Sequence, residues 1–155
     1  NAQRSITFDS FYINDQLVSG EKILSNIGVD EDGHVVFDID NDFSVGDWTR
    51  EATGTKTWIE GFGSNDYSDN IFLLEGSSLT SRANGLEISR TIISPLRVDR
   101  SCGYITEGVL NIEWNENLAS IDFGDGSCDD IATITRDEQE FVIDLDNFRC
   151  RRRVN

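Results

Sequence analysis

The stretch IDFGDGSCDD, residues 121–130, has the residue types of a metal site, a catalytic carboxylate cluster or an acidic turn. It begins within an apolar alternation, so a strand is expected to end here. An EF-hand loop needs glycine at its sixth position, but a loop that starts at Asp125 has Asp130 there. A loop that starts at Asp38 has Phe43 there. We therefore interpret the stretch as an acidic turn held by a disulfide, with calcium binding as the second hypothesis.

Calcium is a candidate ligand because it accepts six to eight oxygen atoms from flexible loops, and two loops can supply them jointly. Three acidic segments are candidates for such loops: 38–42, 66–70 and 122–130. The alternative is that Asp and Asn are frequent there because their side chains cap turn backbone. The candidate calcium ligands are Asp38, Asp40, Asp42, Asp122, Asp125 and Asp129. No other cofactor is expected.

Catalytic motifs are absent from the sequence. It has no G-x-S-x-G elbow, no H-E-x-x-H, no P-loop and no dinucleotide-binding glycine pattern. The single histidine, His34, follows Asp32-Gly33 and is interpreted as a turn residue. A spatial carboxylate pair of the glycosidase kind stays open in a chain with 29 acidic residues, so hydrolysis is only the third functional hypothesis. We expect a protein that is not an enzyme.

The three cysteines, Cys102, Cys128 and Cys150, contain no C-x-x-C pair, which disfavours a structural zinc site and favours a disulfide. Cys128 follows the glycine turn and Cys102 precedes the neighbouring hairpin, so this pair ranks first. Cys150 lies among arginines, which lower the pKa of a thiol. It is either the unpaired thiol or a rival partner for one of the other two.

The tryptophans and the basic C-terminus are candidate contact sites. Trp48 and Trp58 form an aromatic platform for sugars if both are exposed on one sheet face, whereas burial would make them core anchors. The segment 149–155 reverses the charge of the rest of the chain, and it is interpreted either as a solvated terminus or as a docking segment. The docking hypothesis assigns head-to-tail self-association to Arg151, Arg152 and Arg153.

Period-two alternation and closely spaced turn signals predict an all-β domain over residues 1–148, followed by the basic tail 149–155. Asn84-Gly85 is the sharpest turn signal and predicts a two-residue type I′ hairpin that pairs 79–83 with 86–90. The only proline, Pro95, is expected to end the strand before it. We predict an antiparallel meander of about ten strands that forms a β-sandwich, with a barrel as the alternative. The predicted strands are 4–13, 16–26, 34–40, 48–61, 71–83, 86–94, 103–114, 118–124, 130–136 and 140–146.

The formal net charge of −16 argues against binding to nucleic acid, because phosphate neutralisation needs basic groups. No run of 18 apolar residues is present, so no transmembrane segment is predicted. The start at Asn1 is what a processed, exported chain shows, and we expect an extracellular or outer-surface location. The leading hypothesis is a structural or adhesive module that assembles with a homo-oligomer or filament neighbour. The alternative is a carbohydrate-binding module with a glycan partner, with or without calcium.

Two stretches resemble uncharacterised exported β-rich proteins and lipoproteins of Gram-negative bacteria. They are CGYITEGVLNIEWNENLASIDFGDGSCDDIATITRDEQEFVIDL, from Cys102 to Leu145, and RSITFDSFYINDQLVSGEKILSN near the start of the chain. The resemblance implies an extracytoplasmic β domain in which Cys102 pairs with Cys128. It implies no activity.

Overall fold

The computed structural model describes residues 2–148, with side chains described up to Asp146. It is an all-β fold of ten antiparallel strands, as predicted, with short 3-10 turns at Tyr67–Asp69 and Leu145–Phe148. No helix in the described part of the chain is long and apolar enough to cross a membrane. The strands are β1 (Gln3–Ile13), β2 (Gln16–Val29), β3 (Val35–Val45), β4 (Trp48–Glu60), β5 (Ile71–Arg82), β6 (Glu87–Asp99), β7 (Ile105–Trp114), β8 (Asn117–Asp125), β9 (Ile131–Arg136) and β10 (Gln139–Asp144).

All ten strands belong to one sheet, in which each strand pairs with the next along the chain from β1 to β10. The predicted separation into the two sheets of a sandwich is therefore not confirmed. The sheet is not closed into a barrel either, because β1 and β10 each pair on one side only. Alternation identifies one apolar face per strand, but it does not say how those faces are arranged in space.

Three hairpins of the sheet have tight two-residue turns. Both central residues have positive φ in Asn14-Asp15, in Asn115-Glu116 and in Asp137-Glu138, as a type I′ turn requires. At Asn84-Gly85, β5 pairs with β6 as predicted, but Leu79 faces Ser89 and not Arg90, which the predicted two-residue turn would place opposite it. The predicted turn type is wrong, because of this pair only Gly85 has positive φ, at 85°.

The two largest errors in the predicted strand ends each made a strand five residues too short. β6 continues through Pro95 to Asp99. Pro95 lies where the register with β7 shifts, between Ser94 and Arg97, and an irregular position tolerates a residue without an N–H donor. β3 continues to Val45, so 38–42 is strand and not the predicted loop.

Gly54 of β4 and Gly76 of β5 face each other at the middle of the sheet. A Cβ atom on Gly54 would overlap the carbonyl oxygen of Glu75, and one on Gly76 would overlap that of Thr53. Only glycine permits this close approach of the two backbones. Because neither residue has a side chain, no side chain from this pair fills the sheet face beside it.

The two faces of the sheet differ in polarity. Directly opposed residues in antiparallel strands project to the same side, so each face can be traced through the register. One face, here called the apolar face, contains the buried side chains Leu96, Phe123 and Ala132, with Leu74 and Leu110 packed against them. The opposite face is here called the acidic face, and on it Asp38, Asp40 and Glu51 are exposed.

The apolar face is only partly covered, since Ile39, Ile92 and Leu110 on it are half-buried. The chain exposes 10604 Å², whereas a compact monomer of 17.4 kDa exposes about 7,900 Å². The eight residues outside 2–148 can account for at most about 1,300 Å² of this difference, which is the area of a fully extended segment of that length. The single sheet therefore exposes more surface than a compact fold of this size, in which a second layer would bury one face of the sheet.

Candidate functional site

Charge is sorted across the sheet. Every Asp and Glu that is paired in the described strands lies on the acidic face, whereas the paired basic residues lie on the apolar face except for Arg97. This sorting occurs in a chain with 29 acidic and 13 basic residues. The basic residues of the apolar face are Arg4, Lys22, Arg50, Lys56, Arg82, Arg90 and Arg136.

A cavity of about 260 Å³ opens on the apolar face at the Gly54–Gly76 pair. Glu75 is also among its lining residues, but its register opposite Thr55 directs that side chain to the acidic face. The cavity thus combines an apolar wall with a basic rim. The side chains that project into this region from the apolar face are Ile39, Asn41, Ala52, Leu74, Ser78, Ile92, Leu96 and Leu110, together with the guanidinium groups of Arg50 and Arg90.

Arg50 and Arg90 flank β5 from β4 and β6, where they face Thr80 and Ser78 respectively. Burial lowers the pKa of Arg90, and the nearby positive charge of Arg50 lowers it further. Arg90 Nη1 donates a hydrogen bond to Thr80 Oγ1 at 3.3 Å. The ion pairs within residues 2–146 are His34–Asp30, Arg97–Asp99 and Arg136–Asp137, so neither cavity arginine has a carboxylate partner there.

Trp48 and Trp58 are both half-buried on the apolar face, at opposite ends of β4. Trp58 lies ten positions after Trp48, which is roughly 33 Å along an extended strand. They therefore do not form the single platform considered from the sequence. The third tryptophan, Trp114, is half-buried on the same face.

Each of the two β4 tryptophans belongs to a separate aromatic cluster. The ring of Trp48 meets Phe43 edge-on, with 5.7 Å between ring centres. Trp58 meets Phe62 edge-on at 4.9 Å and Phe72 at 5.3 Å. Its Nε1 donates a hydrogen bond to Asn70 Oδ1 at 3.1 Å.

A lysine covers one aromatic ring in each cluster. Lys22 Nζ lies 4.4 Å from the centre of the Phe43 ring, and Lys56 Nζ lies 3.6 Å from that of Phe72. Burial lowers the pKa of Lys56, and the charge of Arg100 adds to this effect. Such cation–π contacts stabilise ammonium groups on a face to which the described strands contribute no paired Asp or Glu.

The candidate calcium ligands of β3 do not converge. Asp38, Asp40 and Asp42 alternate with Ile39 and Asn41 along an extended strand, so neighbouring carboxylates start about 6.6 Å apart. None of the three belongs to a group of ligand atoms that lie within 4.8 Å of one another in the described part.

The candidates of 122–130 are used as turn caps. The carboxylate of Asp122 accepts a hydrogen bond from the backbone N–H of Gly124 at 2.9 Å. Asp125 does the same for Ser127 at 3.1 Å, and Asp129 for Ile131 at 3.0 Å. Side-chain and backbone hydrogen bonds from Ser127 lower the pKa of Asp125. This geometry agrees with the interpretation of the stretch as an acidic turn.

Two other acidic groups do bring their ligand atoms within 4.8 Å of one another. They were not predicted as sites. Asp30, Asp32 and His34 form the first, and its D-x-D-x-H spacing is visible in the sequence. Asp130, Asp144 and Asp146 form the second, and only the pairing of β9 with β10 brings its members together.

His34 Nδ1 lies 3.1 Å from Asp30 Oδ2. Burial acts to raise the pKa of Asp30, but hydrogen bonds from the His34 backbone and ring outweigh it and lower the pKa overall. The second group has partners of its own, because the hydroxyl of Tyr104 donates a hydrogen bond to Asp146. In both groups, carboxylates serve as acceptors for neighbouring donors.

Cys102 and Cys128 lie at disulfide-bonding distance, with 5.7 Å between their Cα atoms, which is the pair ranked first from the sequence. The bond ties the segment before β7 to the segment after β8. Disulfides are typical of proteins outside the reducing cytosol. Cys150 and the self-association candidates Arg151, Arg152 and Arg153 lie outside the described residues.

Comparisons with protein-family models, with curated proteins and with solved structures give no match to this chain. The resemblance to exported proteins of Gram-negative bacteria therefore stays a prediction.

Proposed function

We propose that this chain is an extracytoplasmic binding module that holds a small, anionic and partly apolar ligand on its apolar face. The observation that supports this most is the sorting of charge across the sheet. With more than two acidic residues for each basic one, an unselected distribution would put carboxylates on both faces. A basic and incompletely covered face, on which no paired Asp or Glu of the described strands lies, fits a binding surface for an anion.

Two opposing electrostatic effects limit the classes of ligand that this face can bind. The net charge of −16 repels a polyanion at long range, which disfavours nucleic acid and highly charged polymers. At contact distance, the guanidinium groups of Arg50 and Arg90 attract a single carboxylate, sulfate or phosphate. The favoured ligand is therefore a small molecule with few negative charges, and the role is binding rather than catalysis.

The location outside the cytoplasm is part of the proposal. It is supported by the Cys102–Cys128 pair, since a disulfide persists in oxidising surroundings. More specifically, we propose an extracellular or outer-surface position. Fractionation of cells that produce the full-length protein, followed by detection of this domain, would test it. Recovery in the cytosolic fraction with reduced cysteines would contradict it.

Binding can be tested by titrating the purified chain with anilinonaphthalene sulfonate, an anion with an apolar aromatic body, and measuring its fluorescence. We expect saturable binding that the double variant Arg50→Gln/Arg90→Gln weakens by about tenfold or more. Arg82→Gln is the matched control, because Arg82 lies on the same face but outside the cavity. Absence of saturable binding, or equal affinity in wild type and double variant, would contradict the proposal.

A second candidate is assembly into a homo-oligomer or filament, as expected for a structural or adhesive module. It is favoured by apolar side chains on the two edge strands: Tyr12 of β1 is 59% exposed and Val142 of β10 is 73% exposed. Open edges with apolar side chains are suited to strand-to-strand association. Sedimentation at increasing concentration tests it, with the double variant Tyr12→Lys/Val142→Lys as comparison. A wild-type chain that stays monomeric at high concentration, with and without calcium, would count against assembly.

The one feature that favours a glycan partner is that the rings of Trp48 and Trp58 are only half-buried. Because Trp48 and Trp58 lie far apart, a glycan would use them as two separate subsites. A glycan array with Trp48→Ala and Trp58→Ala controls tests this hypothesis. Binding to no glycan would remove it.

A further inference from the structure

We propose that the cavity on the apolar face takes a single-chain amphiphile with a carboxylate headgroup, of the medium-chain fatty acid class. The carboxylate would lie between Arg50 and Arg90, with the alkyl chain against Ile39, Leu74, Ile92 and Leu110. This inference rests on the proposed function and names the ligand class of the same site.

The headgroup assignment follows from the two guanidinium groups. They extend from β4 and β6, whose backbones are about 10 Å apart across β5, towards the same cavity. A guanidinium has five N–H donors in one plane, and the contact of Arg90 with Thr80 uses one of them. A planar carboxylate has two oxygen atoms with four lone-pair positions, so it can accept hydrogen bonds from both arginines.

Arg50 and Arg90 bring two positive charges close together at this cavity. Both arginines are half-buried, and neither has a carboxylate partner among the described side chains. Their mutual repulsion adds to the cost of burial and lowers the pKa of Arg90. An anion between them removes both penalties, whereas an alcohol or an ammonium group does not.

The alkyl assignment follows from the rest of the wall. Beyond the arginines, the side chains at the cavity are mainly aliphatic, and Leu96 beneath them is buried. A volume of about 260 Å³ holds roughly eight or nine groups of water size, which is the size of a medium alkyl chain.

The experiment is displacement of bound anilinonaphthalene sulfonate by four probes that share one alkyl chain: decanoate, decyl sulfate, decanol and decyltrimethylammonium. All are used below their critical micelle concentrations. We expect decanoate to displace the dye at least about tenfold more strongly than decanol, and the ammonium probe to be the weakest. Equal displacement by decanoate and decanol would overturn the carboxylate assignment, as would stronger displacement by decyl sulfate.

Two variants separate the headgroup from the chain. Arg50→Lys keeps the positive charge but loses the planar array of donors, so it should retain part of the decanoate affinity, whereas Arg50→Gln should lose more of it. Ala52→Phe should fill the cavity without changing its charge, so it should abolish displacement by decanoate. Circular dichroism and melting curves establish that each variant is folded. Unchanged decanoate affinity in Ala52→Phe would overturn the assignment of the chain to this cavity.

Failure of this inference differs from failure of the proposed function. If the dye binds in an Arg50- and Arg90-dependent way but no decyl probe displaces it, the proposed function stands and the fatty acid class is wrong. If the chain floats with vesicles of phosphatidylglycerol yet does not bind monomeric decanoate, the face recognises a lipid surface and the cavity assignment is wrong. If the dye does not bind at all, both proposals fall.

Discussion

Gly54 faces Gly76 across β4 and β5, and the cavity on the apolar face opens at this pair. The two backbones are so close that a Cβ on either residue would overlap a carbonyl oxygen of the other strand. Gly76 also has a φ of 128°, a conformation that side chains disfavour. The pair therefore determines both the local shape of the sheet and the space available to a ligand.

Substitution of Gly76 by alanine should lower the free energy of unfolding by about 2–4 kcal/mol, because it adds a backbone overlap to an unfavourable φ. Gly33→Ala is the control, since Gly33 has a φ of 86° but no atom within 4 Å of an added Cβ. It should cost about 1 kcal/mol. Urea unfolding curves measure both values, and equal losses would contradict the role of the close approach.

The alternation of the sequence predicts the strands because each one has a single apolar face. FDIDNDF, residues 37–43, follows that pattern, yet its three aspartates led to the prediction of a loop. Aspartate-rich composition is typical of a loop, but the period of two indicates a strand, and β3 continues through this segment. The same residues already contain the sorting of charge, since the aspartates alternate with Phe37, Ile39 and Phe43.

Other features depend on register and are invisible in a single segment. Gly54 and Gly76 lie 22 positions apart, and only the pairing of β4 with β5 brings them together. Asp130 meets Asp144 for a similar reason, because β10 folds back on β9. The cavity and the second acidic group could not be predicted before the strand pairing was known.

The disulfide should contribute about 3.5 kcal/mol to stability on the loop-entropy relation, for a separation of 26 residues. Cys102 is buried, so the double variant Cys102→Ser/Cys128→Ser also places a hydroxyl in an apolar position. Urea unfolding of wild type with and without reductant therefore gives the cleaner measurement. Thiol titration of the unfolded, unreduced chain should find one free cysteine, and three would contradict the bond.

Three turns share the spacing Asp-x-Ser, in which the serine donates hydrogen bonds to the aspartate. Hydrogen bonds from Ser68, Ser101 and Ser127 lower the pKa values of Asp66, Asp99 and Asp125 below their ordinary value of 3.8. A carboxyl group whose pKa is lower in the folded state stabilises the fold above the unfolded-state pKa. That contribution declines as the pH falls below 3.8, and it is lost below the folded-state pKa.

The triple variant Ser68→Ala/Ser101→Ala/Ser127→Ala should therefore depend less on pH than wild type does. Above pH 5 the variant should be the less stable protein, and the difference should shrink towards pH 2. Comparison with wild type is necessary because protonation also relieves the repulsion of the net charge of −16, which acts in the opposite direction. Melting curves from pH 2 to pH 7 measure the difference, and a constant gap across this range would contradict the assignment.

The unliganded protein should become more stable when one cavity arginine loses its charge. Burial and the charge of Arg50 both lower the pKa of Arg90, so the charged form of Arg90 is disfavoured in the folded state. Arg90→Gln should raise the free energy of unfolding by on the order of 0.5 kcal/mol after solvent screening. The hydrogen bond to Thr80 that the substitution removes is long, at 3.3 Å, so its loss should cost little.

Salt separates this repulsion from other effects of the Arg90→Gln substitution. At 1 M NaCl the Debye length falls to about 3 Å, so the stabilising effect of the substitution should shrink. Arg82→Gln, at the exposed end of β5, should change stability little at any salt concentration. A destabilised Arg90→Gln protein at low salt would mean that Arg90 is held by a favourable interaction already present in the chain. In that case no ligand anion would be needed to balance the charge, and the binding proposal would lose its electrostatic basis.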